Sequence, residues 1–297
     1  MIATYATNFT TAQQLIAQCD KSGIGISEAM LRREMEVFNK SREDIIGGLE
    51  HSLDIMRDGV REALAGGLRS IGGLIGGEAA LLNERIVSGK SICGPFVSKA
   101  ATYAMGILEV NSSMGLIVAA PTAGSSGVLP GVLLACEEGY GLSGEQLIDA
   151  LLNAAAIGYL IARNATISGA QGGCQAEIGA ASAMAASALV QIMGGSASQC
   201  VSAASTALGN ILGLVCDPVA GLVEEPCQKR NAMGAANAIV SAELALSGIR
   251  SIIPLDEMID AMYSVGRSLP FELRESGLGG IAGTCTGCSL RGRIFGA

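Results

Sequence analysis

The sequence has no tryptophan, one histidine, five tyrosines and five phenylalanines in 297 residues. That shortage excludes a sheet core filled by aromatic rings. The 41 glycines and a heavy load of Ala and Ser must close the interior instead, and small side chains let helices approach closely. Basic residues are also scarce: 19 Lys and Arg against 27 Asp and Glu give a formal net charge of −8. No basic stripe is available to neutralise phosphates, which argues against nucleic acid as a partner. The start, MIATYATNFTTAQQ, lacks a basic segment followed by an apolar one, so a cytoplasmic rather than secreted protein is expected.

Mean hydropathy is +0.45, high enough to raise a membrane reading. The uncharged run from Ile178 to Cys216 covers 39 residues, sufficient in length for a spanning helix. Its apolar positions are mostly Ala, however, and Ser182, Ser187, Gln191, Ser196, Gln199 and Asn210 interrupt it. A bilayer span wants Leu, Ile and Phe. Buried helices without a membrane are therefore expected. A small-residue membrane protein, broken at APTAGSSG, is the non-enzymatic alternative.

What the sequence does have is helical periodicity. Thr11 with Gln14 reads as a capping box for TTAQQLIAQCD, and Ser27 as the opening of SEAMLRREMEVF. From Ile46, the residues Leu49, Leu53, Met56, Val60 and Leu64 recur every three or four positions between charges, the pattern of an amphipathic surface helix. Residues 1–66 thus form a charged helical coat. Beyond Gly66 the charge thins. Ser143 and Gln146 cap a helix through LIDALLNAAAIGYLIA, and others run over AASAMAASALVQIM, ASQCVSAASTALGNIL, NAMGAANAIVSAELAL and PLDEMIDAMYSVGRSL. The expected fold is all-α: a single domain over residues 1–297 with ten or more helices, Ala- and Gly-rich ones buried at the centre and amphipathic ones outside.

Three stretches break the pattern with glycine and polar residues: NSSMGLIVAAPTAGSSGVLPG, RNATISGAQGGCQAEIG and CDPVAGLVEEPCQKRN. In APTAGSSG, Gly124 and Gly127 let the chain turn, Thr122, Ser125 and Ser126 offer hydroxyls, and the next helix would present its amides. This suits a carboxylate or phosphate, or is a plain loop between helices. The nine cysteines are an odd number in a chain with no secretion signal, which favours free, metal-binding or redox thiols over disulfides. Cys285 and Cys288 form the one CxxC pair, whereas Cys174, Cys216 and Cys227 stand singly beside Gly or Pro. Zinc, an iron-sulfur cluster and burial as small hydrophobes all remain open for these three.

Together, SSMGLIVAAPTAGSSGVLPG, NATISGAQGGCQAEIGAASAMAA and CDPVAGLVEEPCQKRNAMGAANA resemble the alpha chain of the iron-sulfur-dependent L-serine dehydratases, from about residue 90 onward. The resemblance implies an all-helical catalytic domain that deaminates L-serine to pyruvate and ammonia. It also implies a 4Fe-4S cluster held by Cys174, Cys216 and Cys227, with a fourth iron open to substrate as a Lewis acid. Residues 67–297 then become the cluster- and substrate-binding core. Because the chain begins directly at the alpha portion, the two-chain form with a separate beta chain is expected. Thr122, Ser125, Ser126 and Gly127 are candidates for gripping the substrate carboxylate, with Asn164 and Ser168 beside a cluster ligand.

His51 is the candidate base on this chain, against a bland reading as a solvated surface residue. The family's Ser-His-Thr triplet is absent here, which points to the beta chain for that group. Lys229 and Arg230 either offset the cluster's negative charge or pair with Glu224 and Glu225 at the surface. Cys285 either caps the open iron or is a spare thiol. A related desulfidase acting on L-cysteine is the closest rival. A pyridoxal-phosphate enzyme is disfavoured because none of the five lysines lies in a Ser-x-Lys-x-Arg-Gly context.

Overall fold

Thirteen α-helices and no strand form among residues 7–296, the part of the chain described by this computed structural model. The first six residues, which carry part of the expectation about secretion, lie outside it. The helices are α1 (Ala12–Ser22), α2 (Ile26–Phe38), α3 (Arg42–Ala65), α4 (Glu78–Val87), α5 (Gly94–Ser112), α6 (Val128–Tyr140), α7 (Gly144–Asn164), α8 (Gly169–Gly172), α9 (Ala180–Ile192), α10 (Ala197–Gly209), α11 (Cys227–Leu246), α12 (Leu255–Ser268) and α13 (Cys285–Phe295).

Local capping chemistry decides where several of them start. Thr11 accepts the Gln14 amide to open α1, and the boxes Ser143–Gln146 and Ser196–Gln199 open α7 and α10. A further box, Ser41–Asp44, starts α3 four residues before the apolar periodicity does. Ser27 is not a cap: Gly25 holds that position, and Ser27 is buried inside α2.

α9 is the centre. Every residue from Ala180 to Val190 is buried, sheathed by α6, α7, α10 and α11. Its two interior hydroxyls are satisfied, Ser182 donating to the Gly234 carbonyl at 2.7 Å and Ser187 to Asn153 Oδ1 at 2.6 Å. α5 crosses α6 with its backbone in close approach. A Cβ added at Gly131 would stand 2.7 Å from the Ala100 carbonyl oxygen, and one at Gly127 would overlap that of Ala104. The charged coat belongs to the same core, since Leu15, Ile26, Leu31 and Leu53 pack into the cluster that holds α9.

The 39-residue uncharged run is divided between α9 and α10, of 13 residues each. At about 1.5 Å per residue each spans roughly 20 Å, short of a hydrocarbon core of about 30 Å. α7 is long and apolar enough to span, but 67% of its apolar window is buried against other helices. Its apolar surface serves the protein core.

Candidate metal centre

The segment leading to Cys174 folds as it does because of glycine. Gly173 has φ +76, and a Cβ there would lie 2.6 Å from Leu269 Cδ1 and 2.9 Å from the Leu214 carbonyl oxygen. Cys174 then heads a π-helical turn, Gln175–Gly179, that runs into α9. Such turns are rare and concentrate at functional sites. Gln175 fastens it: Nε2 donates to the carbonyls of Gly172 and Met262, both at 2.9 Å, and Oε1 accepts the Gly213 amide at 2.9 Å.

Cys216 is held by its main chain. Its amide donates to the Leu273 carbonyl at 2.9 Å and its carbonyl accepts the Glu275 amide at 2.6 Å, an isolated parallel bridge to Arg274. The next residue, Asp217, accepts the Ile281 amide at 2.7 Å. Cys227 is the first residue of α11, following the cis peptide Glu225–Pro226.

These elements bring Cys174 Sγ, Cys216 Sγ and a Glu177 carboxylate oxygen within 4.8 Å of one another, all buried. Cys216 Sγ lies 3.8 Å from Glu177 Oε2. Cys227 is buried beside this trio but outside that radius, and its thiol is pushed up by burial and then by the charges of Cys174 and Glu177. The Cys216 thiol is pushed up first by its hydrogen bond with Cys174 and then by burial. Glu177 is pushed up to about 7, mainly by burial, with Glu275 adding to it and hydrogen bonds from Thr122 and Cys216 opposing. Several buried anion-forming groups thus lie side by side, where each disfavours the charge of the next.

The cation that faces them is Arg230. Its guanidinium pairs with Asp217 at 2.8 Å, donates to the Val215 carbonyl at 2.8 Å and hydrogen-bonds Cys174; the pair's side chains are 12% and 3% exposed. Lys229 takes the other course and pairs with Glu225 at the surface. Of the surface pairings expected for these cations, Lys229 with Glu225 forms, whereas Arg230 turns inward to Asp217. Glu224 does neither: it is buried and accepts Ser70 Oγ at 2.6 Å, the Gly72 amide at 2.6 Å and the Leu74 amide at 3.0 Å, fixing that loop.

Of the hydroxyl loop, Thr122 reaches the site, donating to Glu177 Oε1 at 2.7 Å. Ser125 and Ser126 are fully buried; Ser125 Oγ lies 3.0 Å from Thr122 Oγ1, and Ser126 donates to the Ala123 carbonyl at 2.7 Å. The Gly127 amide donates to Asn231 Oδ1 at 3.0 Å. Asn164 is exposed at the end of α7 and donates to the Thr10 carbonyl at 2.9 Å, while Ser168 precedes α8 and accepts the Gly172 amide at 2.9 Å. His51 is exposed on α3, which packs on α2, α4, α5, α6 and α7. Cys285 and Cys288 are exposed on α13, which packs on the Val219–Gly221 turn between Cys216 and Cys227. Cys19, Cys136 and Cys200 are buried away from the site, with thiols pushed up to about 11, 12 and 12 chiefly by burial, and serve as small hydrophobes.

Two participants escaped the sequence reading. Glu177 left a signal, being the only charged residue between Arg163 and Asp217. Asn231 left none beyond being polar in an Ala-rich helix, yet its Nδ2 donates to the carbonyls of Gly124 at 2.8 Å and Cys227 at 2.9 Å, tying the hydroxyl loop to a cysteine. The donor chemistry is that of a soft-metal site: buried, unbridged thiols from three separate segments, a carboxylate among them, and one guanidinium for charge balance.

The family model described as serine dehydratase alpha chain matches residues 21–282. A Bacillus subtilis protein named "Probable L-serine dehydratase, alpha chain" is 50% identical over 288 residues, covering 97% of this chain and 96% of its own. The L-serine dehydratase alpha chain of Peptoniphilus asaccharolyticus is 46% identical over 281 residues, covering 95% and 96%. An L-serine dehydratase of Escherichia coli is 35% identical over 285 residues, which are 93% of this chain and 62% of that protein.

Proposed function

This chain belongs to the serine dehydratase alpha chain family, and from that we propose that it is the alpha chain of a two-chain enzyme converting L-serine to pyruvate and ammonia. The observation that carries the reading to chemistry is the buried convergence of Cys174, Cys216 and Glu177, inside the motifs that bear the family resemblance. In this reading Cys174, Cys216 and Cys227 hold a 4Fe-4S cluster. When bound, the cluster supplies a Lewis-acidic iron for a poor leaving group, hydroxide.

The chain's own residues prepare that site. Arg230 offsets thiolate charge at Cys174, with Asp217 and Val215 fixing its fork. Thr122 orients Glu177 from the hydroxyl loop, and Asn231 holds the loop against Cys227. Ser125, Ser126 and Gly127 act in substrate binding through the shape of that loop, and Ser168 through the placement of Gly169. Asn164 tethers the N-terminal segment instead. With His51 exposed on α3, the group that takes the Cα proton is assigned to the beta chain.

Anaerobic alpha chain, reconstituted with iron, sulfide and the beta chain, is expected to form pyruvate from L-serine much faster than it releases sulfide from L-cysteine. The reverse order would give the substrate to L-cysteine. Gly169 supplies a second test. A Cβ there would lie 2.5 Å from Glu177 Oε2 and 3.0 Å from Cys216 Sγ, so Gly169→Ala displaces both groups without touching a helix crossing. Its kcat/KM for L-serine is expected to fall by roughly 10- to 100-fold, the scale of lost positioning around a metal, with the circular dichroism of wild type. Unchanged kinetics would remove this wall from the site.

A further inference from the structure

Beside the cysteine site, on the outer side of α8, is a surface pocket of about 490 Å³ lined by Ala170, Gln171, Tyr263, Arg267 and Arg274. In a chain of net charge −8 its lining holds two guanidiniums and no carboxylate. Among the described residues neither Arg267 nor Arg274 forms an ion pair, although eight other cationic side chains do. Arg274 Nε is enclosed and has no hydrogen-bond partner, a loss that a buried donor does not normally sustain. The remaining polar groups are turned to donate. Gln171 Oε1 already accepts from Thr166 Oγ1 at 2.7 Å, which leaves its amide N–H groups. Tyr263 Oη already accepts from Arg267 Nη1 at 3.3 Å, which leaves its own proton. The neighbouring acid, Glu275, has its carboxylate against Gly169 and Cys216 and does not line the pocket.

We propose that the Arg267–Arg274 pocket is a second binding site on this chain, for the carboxylate of a small amino or keto acid. Two planar forks with amide and phenol donors match a carboxylate's two oxygens, and the volume accepts a molecule of a few heavy atoms. Its place in the fold links it to the cysteines. The Arg274 backbone is bridged to Cys216, and Ala170 and Gln171 follow Gly169, which abuts Cys216 and Glu177. An anion bridging Arg274 and Gln171 therefore fixes both segments that flank Cys216.

Calorimetric titration of the full chain with acetate, pyruvate and L-serine tests the site. Acetate tests it without reference to the proposed reaction; the other two probes rest on that reading, so failure of the reading leaves the acetate result standing. All three are expected to bind in the millimolar range, and Arg267→Gln and Arg274→Gln each to weaken binding by about tenfold or more, as loss of a charge-assisted hydrogen bond does. Arg267→Lys is expected to fall between, keeping the charge and losing the fork. Lys90→Gln is expected to bind as wild type, and melting curves check that each variant is folded. Absence of acetate and pyruvate binding to wild type, or wild-type binding by folded Arg267→Gln and Arg274→Gln, would overturn the proposal. Loss of acetate binding on adding the beta chain would overturn it too, giving the pocket to a carboxylate of that partner.

Discussion

Anaerobically reconstituted Cys216→Ala will hold less iron and sulfide than wild type, will lack the broad visible absorbance of a 4Fe-4S cluster, and will form no pyruvate from L-serine above the cluster-free background. The reason is that nothing near can replace the lost sulfur. The other nearby donors are Cys174 and Cys227, proposed above as ligands, and the carboxylates of Glu177 and Glu275, hard oxygens that replace a soft sulfur poorly. The substitution should nonetheless spare the fold. Cys216 joins Leu273 and Glu275 through its amide and carbonyl, which alanine keeps, and only one small buried side-chain atom is lost. The same analysis of Cys174→Ala and Cys227→Ala extends the test to the whole set. A full complement of iron and sulfide in any of the three would remove that residue from the ligands.

Gly127→Ala is expected to be the most destabilising single methyl that can be added near the site. The new Cβ would meet the Ala104 carbonyl oxygen, and that oxygen belongs to a helix backbone that cannot rotate aside as a side chain would. Either α5 and α6 separate or the hydroxyl loop shifts, and the loop is pinned by the Gly127 amide bond to Asn231. Overpacking of this kind costs about 1–3 kcal/mol and more when backbone must move. For a chain of this size that lowers the melting temperature by several degrees, at about 2–4 °C per kcal/mol. Thermal denaturation followed by circular dichroism measures it, and a variant melting with wild type would show that the α5–α6 crossing has slack. Because the shifted loop carries Thr122, activity should fall even where the variant remains folded.

The parts of this protein legible from sequence are those set by neighbours along the chain. Thr11 and Ser143 declare their helices through residues three positions on, and the Ala-rich strings around α9 declare burial by lacking charge. Ser27 misled because a capping pattern does not say which residue the preceding turn leaves extended, and here Gly25 takes that role. The three cysteine motifs could be read because each carries its own irregular backbone. What could not be read depends on contacts across the fold. That Arg230 turns inward and Lys229 outward follows from where Asp217 and Val215 lie, and that Glu224 serves the 70–74 loop follows from a contact 154 residues away. Glu177 was recoverable in principle, as a lone carboxylate in an otherwise uncharged stretch.

The main-chain bridge that holds Cys216 has a consequence in time. Its partners, Leu273 and Glu275, and the Ile281 amide that engages Asp217, are synthesised more than fifty residues after the cysteine itself. A nascent chain can carry all three cysteines of the motifs and still lack the strut that fixes the second of them. The brace of Cys216 is thereby completed only once residue 281 has been made, and a chain cut before that point keeps the thiol without its main-chain strut.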